Sequence, residues 1–212
     1  MNFYSFGKAI SYPILRCIFK VRYEGLEHIP QGGGYILACN HRSGLDPLFI
    51  AHKVPVQIHY LAKSELIKTP IIGFIIKSLG VIPINRGKGD TGALEKSAEL
   101  VQNGKVLGVF PEGHRSKNGA PLRPRSGISI IAGKTQADIL PVALSYGKGL
   151  RFRSLVTVRY GPLIPNADTG INLTSPSTLR AASKFIMDEI VSLMDPMPGQ
   201  ALPPEEEEKA VG

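Results

Sequence analysis

The sequence predicts a single α/β domain in which helices flank a mostly parallel or mixed central sheet. Short apolar runs of the kind that form buried strands alternate along the chain with longer segments of helical periodicity. The 212 residues are enough for one domain with a full core, and neither an internal repeat nor a domain linker interrupts them. With 43% hydrophobic and 20% charged residues, the composition is that of a globular protein and argues against disorder.

The first segment, Met1 to Lys20, is apolar and aromatic, and scattered polar and basic residues interrupt it. It is too short and too interrupted for a membrane span, and no small-residue cleavage site follows it as in a signal peptide. Two interpretations stay open: a helix that lies in the membrane interface, and a helix that packs on the core of its own domain. Pro13 is expected to kink either helix.

The strands that follow are predicted from apolar runs, some with alternating polarity, that end at Gly, Pro or polar residues. They comprise residues 21–26, 35–39, 57–62, 105–110, 139–146 and 154–160. A further strand closes the most hydrophobic run of the chain, residues 71–84, which Lys77 and Gly80 divide into a helix and a strand.

Helices are predicted where apolar residues recur at helical spacing or where cap residues begin a segment. They comprise residues 48–53, a helical patch that starts at 64, and residues 69–77, 90–103, 126–136 and 175–194. The residues beyond Asp195 are rich in Pro, Gly and Glu and predict a disordered tail. The chain is therefore expected to comprise an N-terminal helix (1–20), one folded domain (21–195) and an acidic tail (196–212).

The chain is basic, with a formal net charge of +8 from 25 Lys and Arg against 17 Asp and Glu. Four of the acids are clustered at Glu205–Glu208, so the rest of the chain is more basic still. This favours an anionic partner: a phosphorylated metabolite, an acidic membrane surface or nucleic acid. The absence of Trp and the few aromatic residues beside the basic ones argue against a surface that stacks single-stranded nucleic acid. Cys17 and Cys39 show no disulfide or metal-ligand spacing, so a reducing compartment and no metal site are expected.

One polar turn carries a histidine and an aspartate five residues apart, His41 and Asp46. It follows the predicted strand 35–39 and precedes a predicted helix with Asp46 as N-cap and Pro47 at its first position. At such a corner the carboxylate can reach the imidazole, orient it and leave its other nitrogen as a general base. The alternative is that Asp46 only caps the helix and that His41 is an ordinary polar loop residue.

Polar or basic segments also follow other predicted strands. Asn85-Arg86 follows the strand that ends at residue 84, and Phe110-Pro111-Glu112-Gly113-His114-Arg115-Ser116 follows the strand that begins at 105. A later strand, residues 139–146, contains Pro141-Val142. Because sites in open α/β sheets collect at the carboxyl ends of strands, we expect these segments to converge on one crevice.

These four blocks, in this order, resemble the glycerolipid acyltransferases, specifically the lysophosphatidate (1-acylglycerol-3-phosphate) O-acyltransferase family. The family pattern is His, four residues, Asp; then Gly-x-Ile-x-x-x-Arg; then Phe-Pro-Glu-Gly-Thr-Arg-Ser; then an apolar block with Pro-Val. The resemblance extends from about Tyr35 to Tyr146, and His114 stands where the family usually has Thr.

The resemblance implies that residues 21–195 form an acyltransferase domain that makes phosphatidate in phospholipid biosynthesis. His41 would take the proton from the free hydroxyl of 1-acylglycerol 3-phosphate, which attacks the thioester of acyl-CoA or acyl-carrier-protein. Asp46 would orient His41, and no serine nucleophile and no cofactor beyond the acyl donor would be needed. The enzyme would lie on the cytoplasmic face of the cell membrane as a peripheral or monotopic protein, held there by its basic surface.

The resemblance also assigns the substrate-binding residues. Arg86 and Arg115 would clamp the phosphate, and Gly113 would let the backbone approach the substrate closely. Glu112 would receive the acceptor hydroxyl or lock one arginine in place, and the second role is preferred. Further phosphate candidates, each of which is as well explained as a solvated cation, are Arg123, Arg125 and Lys134.

Two alternative functions stay open at this point. The first keeps the family and changes the acceptor to glycerol 3-phosphate or another lysolipid. The second is a non-enzymatic basic protein that binds membranes or nucleic acid, which explains the charge but not the clustering of His, Asp, Glu and Arg at strand ends.

Overall fold

A computed structural model of the chain describes residues 3–63, 81–84, 91–147 and 149–195. Its centre is a seven-stranded sheet in the order β1-β7-β6-β2-β5-β3-β4. The strands are β1 Lys20–Glu24, β2 Ile36–Cys39, β3 Ile58–Lys63, β4 Ile82–Ile84, β5 Val106–Val109, β6 Ile139–Ser145 and β7 Leu155–Tyr160. Neighbouring strands are parallel except β6 and β7, which are antiparallel. The predicted mostly parallel or mixed α/β sheet is confirmed.

The described residues form five α-helices, α1 Phe3–Ile18, α2 Asp46–Ala51, α3 Thr91–Gln102, α4 Gly127–Thr135 and α5 Pro176–Ser192. Each corresponds to a predicted helix. Two short 3₁₀ helices, Leu26–His28 and Asn166–Thr169, were not predicted, because three or four residues carry no detectable periodicity. The helices predicted within residues 64–80 and the tail 196–212 lie outside the described residues, and the division at residues 20 and 195 stays a prediction.

The central strands are buried on both faces, which explains why they read as continuous apolar runs. In β2, Leu37 and Cys39 pack into one core cluster together with residues of α1 and α2. Ile36 and Ala38 point to the opposite face, where they pack with residues of α3, α4 and α5. The strand therefore separates two hydrophobic layers, as the period of two residues in a strand requires.

Helix α1 packs on its own domain, which is one of the two interpretations that the sequence left open. Tyr4 and Leu15 are buried in the core cluster that also contains β2, so one side of the helix packs on the domain. The exposed positions on its other side are nearly all apolar: Phe6, Ala9, Ile10, Pro13, Ile14, Cys17 and Ile18. Contact of this side with a membrane stays a prediction. Among the residues that the structure describes, no helix has the length and apolarity required to cross a bilayer.

Candidate active site

The predicted crevice is found at the carboxyl ends of β2, β5 and β6, which are neighbours in the sheet and run parallel. Three segments meet there: the loop from Asn40 to Leu45, the long loop 110–126, and Tyr146-Gly147 after β6. The Asn40 side chain joins the first segment to the end of β6, since its amide donates to the Leu144 carbonyl (3.0 Å) and its oxygen accepts the Leu144 N–H (2.8 Å). Arg86, which the sequence assigned to this site, lies outside the described residues.

His41 and Asp46 are in contact, as predicted. Nδ1 of His41 lies 2.9 Å from Oδ2 of Asp46, whose side chain is 0% exposed, while that of His41 is 15% exposed. The same Oδ2 accepts the backbone N–H groups of Arg42 (2.7 Å) and Ser43 (2.8 Å). A buried carboxylate with these donors is held in one orientation, and it fixes the imidazole with Nε2 left for a substrate.

The prediction that Asp46 is the N-cap of the following helix is wrong. Helix α2 begins at Asp46 itself, with Leu45 as N-cap, and the cap makes no side-chain hydrogen bond. The carboxylate turns away from the helix because the loop folds back and brings the N–H groups of Arg42 and Ser43 to it. Its hydrogen bonds therefore serve the loop that carries His41, and not the helix terminus.

Tyr146 is a site residue that the sequence did not reveal. Its hydroxyl donates to Oδ1 of Asp46 at 3.0 Å, on the carboxylate oxygen that His41 does not use. Burial, and then the negative charge of Asp46, raise the pKa of Tyr146, so the hydroxyl stays protonated and remains a donor. The signal for Tyr146 in the sequence was weak: one hydroxyl directly after the buried apolar strand β6, one hundred residues from Asp46.

The imidazole of His41 is also held through its ring face. It stacks on Phe110, with ring centroids 3.9 Å apart and ring planes 17° apart. Phe110 in turn stacks on Tyr60 at 5.8 Å. Packing on one face and the carboxylate at Nδ1 together restrict the imidazole to one orientation, which a general base requires.

Glu112 braces the loop of His41, a role that the sequence did not predict. One carboxylate oxygen accepts the backbone N–H of His41 (2.7 Å) and the other accepts that of Leu122 (2.9 Å). Within the described part of the chain, no arginine forms an ion pair with it. Its side chain is 1% exposed, and burial raises its pKa, while the two backbone donors and His41 act in the opposite direction. The Ser116 N–H completes the brace by donating to the His41 carbonyl at 2.8 Å.

Gly113 has a conformational requirement that the sequence did not predict, and its close approach to a substrate stays a prediction. Its φ is +77°, and a Cβ there would lie 2.9 Å from Cδ of Arg125. The positive φ opposes any larger residue, whereas the exposed Arg125 side chain can shift away from a Cβ. Arg115 and His114 are exposed, and Nη1 of Arg115 would lie 3.7 Å from a Cβ on Gly44, so Arg115 borders the loop of His41.

The other predicted phosphate cations divide between the two edges of the sheet. Arg123 and Arg125 are exposed in the long loop at the site. Lys134 is in the last turn of α4, which leads to the amino end of β6. It therefore lies at the edge of the sheet opposite the site, which favours the alternative that Lys134 is a solvated cation.

Arg42 forms a basic wall that the sequence did not single out. Its guanidinium lies 4.4 Å from the centre of the Tyr146 ring, and Nη2 donates to the Gly147 carbonyl at 2.9 Å. Its Nε is buried and has no hydrogen-bond partner among the described residues. A Cβ on Gly119 would lie 2.4 Å from Nη2, so glycine makes room for the arginine.

Arg42 borders a cavity of about 320 Å³ beside the His41–Asp46 pair. The cavity lining comprises Arg42, Ser43, Ser116, Lys117, Asn118, Gly119, Tyr146, Gly149 and Leu150. This lining contains two cations and no carboxylate, which favours an anionic group. A larger cavity of about 590 Å³ lies at the amino ends of β3 and β5, away from His41. The described residues contain no group of three or more His, Cys, Asp or Glu suited to a metal ion.

Comparison with known proteins matches residues 20–145 to the Acyltransferase family. A Bacillus subtilis protein named 1-acyl-sn-glycerol-3-phosphate acyltransferase is 28% identical over 177 residues, which cover 82% of this chain and 87% of that protein. Proteins of the same name from Helicobacter pylori (34% over 133 residues) and human (its alpha form, 32% over 129 residues) match about 60% of this chain. The chain covers only about half the length of these two, 56% and 46%.

The fold is similar to a solved structure. The crystal structure of the 1-acyl-sn-glycerophosphate (LPA) acyltransferase PlsC from Thermotoga maritima aligns with a TM-score of 0.66 at 26% sequence identity. The alignment covers 88% of this chain and 76% of that protein.

Proposed function

This chain belongs to the Acyltransferase family, and from that premise we propose that it is a 1-acylglycerol-3-phosphate O-acyltransferase. It transfers a fatty acyl group to the free hydroxyl of 1-acylglycerol 3-phosphate and forms phosphatidate in phospholipid biosynthesis. The names of its relatives support the acceptor. The observation that carries the proposal is the contact between His41 Nδ1 and Asp46 Oδ2 at 2.9 Å, beside a cation-lined cavity.

In the proposed reaction, His41 is the general base and then the general acid. Nε2 takes the proton of the acceptor hydroxyl while its oxygen attacks the thioester carbonyl carbon. The tetrahedral intermediate collapses, the carbon–sulfur bond breaks, and the proton passes from Nε2 to the leaving thiolate. Asp46 stabilises the positive imidazolium through Nδ1. The acceptor hydroxyl is itself the nucleophile, so the reaction needs no covalent acyl-enzyme.

The acceptor phosphate is proposed to bind the cations around the crevice. Arg42 and Lys117 line the cavity, and Arg115 borders the loop of His41. Arginine can hold a phosphate through two parallel hydrogen bonds, which favours a phosphorylated acceptor over a neutral one. Arg86 keeps its predicted place in this set. The acyl donor is proposed to be acyl-CoA or acyl-carrier-protein, with no further cofactor.

The membrane is proposed as the surface on which the enzyme meets its lipid. The exposed side of α1 presents Phe6, Ile10, Ile14 and Ile18 at successive helical turns, with exposed fractions from 37% to 52%. An apolar helical side of this kind suits the acyl–headgroup boundary of a bilayer. We propose peripheral or monotopic attachment to the cytoplasmic face of the cell membrane, where anionic lipids attract the basic chain.

Thiol release from acyl-CoA and from acyl-carrier-protein tests the proposal, with lysophosphatidate, glycerol 3-phosphate and monoacylglycerol as acceptors. Lysophosphatidate is expected to give the highest kcat/KM with at least one donor. Preferred use of glycerol 3-phosphate would establish the alternative acceptor. Equal use of monoacylglycerol, which has no phosphate, would refute the role of the cations. The alternative of a basic protein without enzymatic activity predicts no thiol release with any acceptor.

A further inference from the structure

The turn that connects β6 to β7 exposes the most accessible large hydrophobic side chain of the described residues. Phe152 is 76% exposed, and Arg151 and Arg153 flank it, both exposed as well. Leu155, at the start of β7, is 51% exposed. We call residues 149–154 the β6–β7 tip. An isolated exposed phenylalanine is unremarkable, but one framed by cations at a loop end has the composition of a membrane contact.

The β6–β7 tip is held in a defined shape. The Ser154 hydroxyl donates to the Arg151 carbonyl at 2.8 Å, and the Ser154 N–H donates to the same carbonyl at 3.0 Å. Arg153 has a φ of +64°, which a residue with a side chain adopts at an energetic cost. The surrounding hydrogen bonds therefore keep Phe152 at the outer end of the turn.

The tip is attached to the last turn of α1. The Arg153 N–H donates to the Ile18 carbonyl at 2.7 Å, and the Lys20 N–H donates to the Ser154 carbonyl at 3.0 Å. These bonds place Phe152 beside the end of the helix whose exposed side is apolar. The apolar side of α1 and the β6–β7 tip are thus two parts of one surface, although 130 residues separate them in the chain.

The charges of this surface favour an anionic partner. Residues 3–23 and residues 139–167 contain no Asp or Glu, whereas Arg16, Lys20, Arg151 and Arg153 all have exposed side chains. Cations around an apolar centre complement an anionic bilayer, in which the rings enter the acyl boundary and the cations meet lipid phosphates. A second copy of this chain would bring the same cations together and would be repelled.

We propose that the β6–β7 tip is a second membrane contact, which inserts Phe152 into an anionic leaflet beside α1. The inference rests on the proposed function in one respect, since a lipid substrate requires the site to face the bilayer. The same tip supplies Gly149 and Leu150 to the cavity next to Arg42. Insertion of Phe152 therefore holds the mouth of this cavity at the lipid surface, where an acceptor can enter without leaving the leaflet.

A single tryptophan tests the insertion directly, because the chain contains none. Phe152→Trp is expected to shift its emission to the blue when vesicles of 30% phosphatidylglycerol in phosphatidylcholine are added. Phe185→Trp is the matched control, since Phe185 is an exposed phenylalanine on α5, on the other face of the sheet, and its emission should not change. An unchanged emission of Phe152→Trp would overturn the proposal.

Sedimentation with the same vesicles measures the contribution of the tip to binding. Phe152→Ser is expected to weaken binding about tenfold. Arg151→Gln and Arg153→Gln should each weaken binding to anionic vesicles about fivefold and leave binding to pure phosphatidylcholine unchanged. Arg180→Gln, an exposed cation on α5, is the charge control and should bind like the wild type.

The outcomes separate this proposal from the proposed function. Phe152→Ser should turn over a short-chain, monomerically dissolved lysophosphatidate like the wild type, because Phe152 does not line the cavity. A wild type without this activity would refute the function and leave the vesicle measurements valid. Two results would refute the membrane contact and leave the function standing. Phe152→Ser could bind vesicles like the wild type, or it could lose binding to a second copy of the chain while its vesicle binding is unchanged.

Discussion

The replacement Tyr146→Phe probes how Asp46 controls His41. It removes the hydroxyl that donates to Oδ1 of Asp46 at 3.0 Å and keeps the ring on which Arg42 lies. A hydrogen bond to a charged group contributes about 1.5–3 kcal/mol. Each 1.4 kcal/mol corresponds to about a factor of ten in rate. If the whole energy of this hydrogen bond stabilised the transition state, its loss would lower kcat by about 10- to 100-fold. Three other donors still hold the carboxylate, so we expect the lower end of this range, about tenfold.

The assay for Tyr146→Phe is thiol release at saturating donor over a series of lysophosphatidate concentrations and pH values. KM should change little, because the variant keeps the lining of the cavity, and the acid limb of the pH–rate profile should move. Tyr160→Phe is the matched control: its hydroxyl is equally buried and donates to the Ile50 carbonyl at 2.7 Å, without contact to Asp46. Wild-type kcat in Tyr146→Phe, or an equal loss in both variants, would refute the reasoning.

Three further variants test the rest of the site. Glu112→Gln removes a carboxylate whose raised pKa means that the folded state binds the proton more tightly than the unfolded state. The stability of the wild type relative to this variant should fall as the pH rises from about 4 through that raised pKa, which denaturant titrations at several pH values would measure. Arg42→Met should raise KM for lysophosphatidate about tenfold at nearly constant kcat, and equal KM values would exclude Arg42 from phosphate binding. Gly119→Ala, at a φ of +86° and with a Cβ 2.4 Å from Arg42 Nη2, should raise the same KM and lower the stability by about 1–3 kcal/mol. A wild-type KM in this variant would show that Arg42 can move aside without loss of phosphate binding.

The sequence predicted the site where local patterns determine the structure. Apolar runs that end in polar residues predicted strands, and parallel strands bring their carboxyl ends to one edge, so Asn40 to Asp46 and Phe110 to Ser116 had to converge. The short loop between His41 and Asp46 allowed their contact, and the resemblance to a known family favoured it over the alternative of a simple helix cap. The predicted N-cap role of Asp46 was wrong because a carboxylate can accept from several backbone N–H groups. The conformation of the loop determines which of them Asp46 accepts.

The remaining site residues depend on distant contacts that a single sequence does not contain. Tyr146 reaches Asp46 because β6 lies next to β2, and no local pattern specifies the order of strands in a sheet. Glu112 accepts the backbone N–H groups of His41 and Leu122. Every residue except proline has such a group, so the sequence does not show which ones a carboxylate will accept. For the same reason, the wall formed by Arg42 was not distinguishable from a solvated arginine.

The central claim is that His41, oriented by Asp46, moves the proton of the acceptor hydroxyl. Its most direct test is the kcat of His41→Ala with lysophosphatidate and a thioester donor, compared with the wild type at equal folding by circular dichroism. Loss of a general acid–base group is expected to lower kcat by about 10²- to 10⁴-fold. A folded His41→Ala that keeps kcat within a factor of about three of the wild type would contradict the claim.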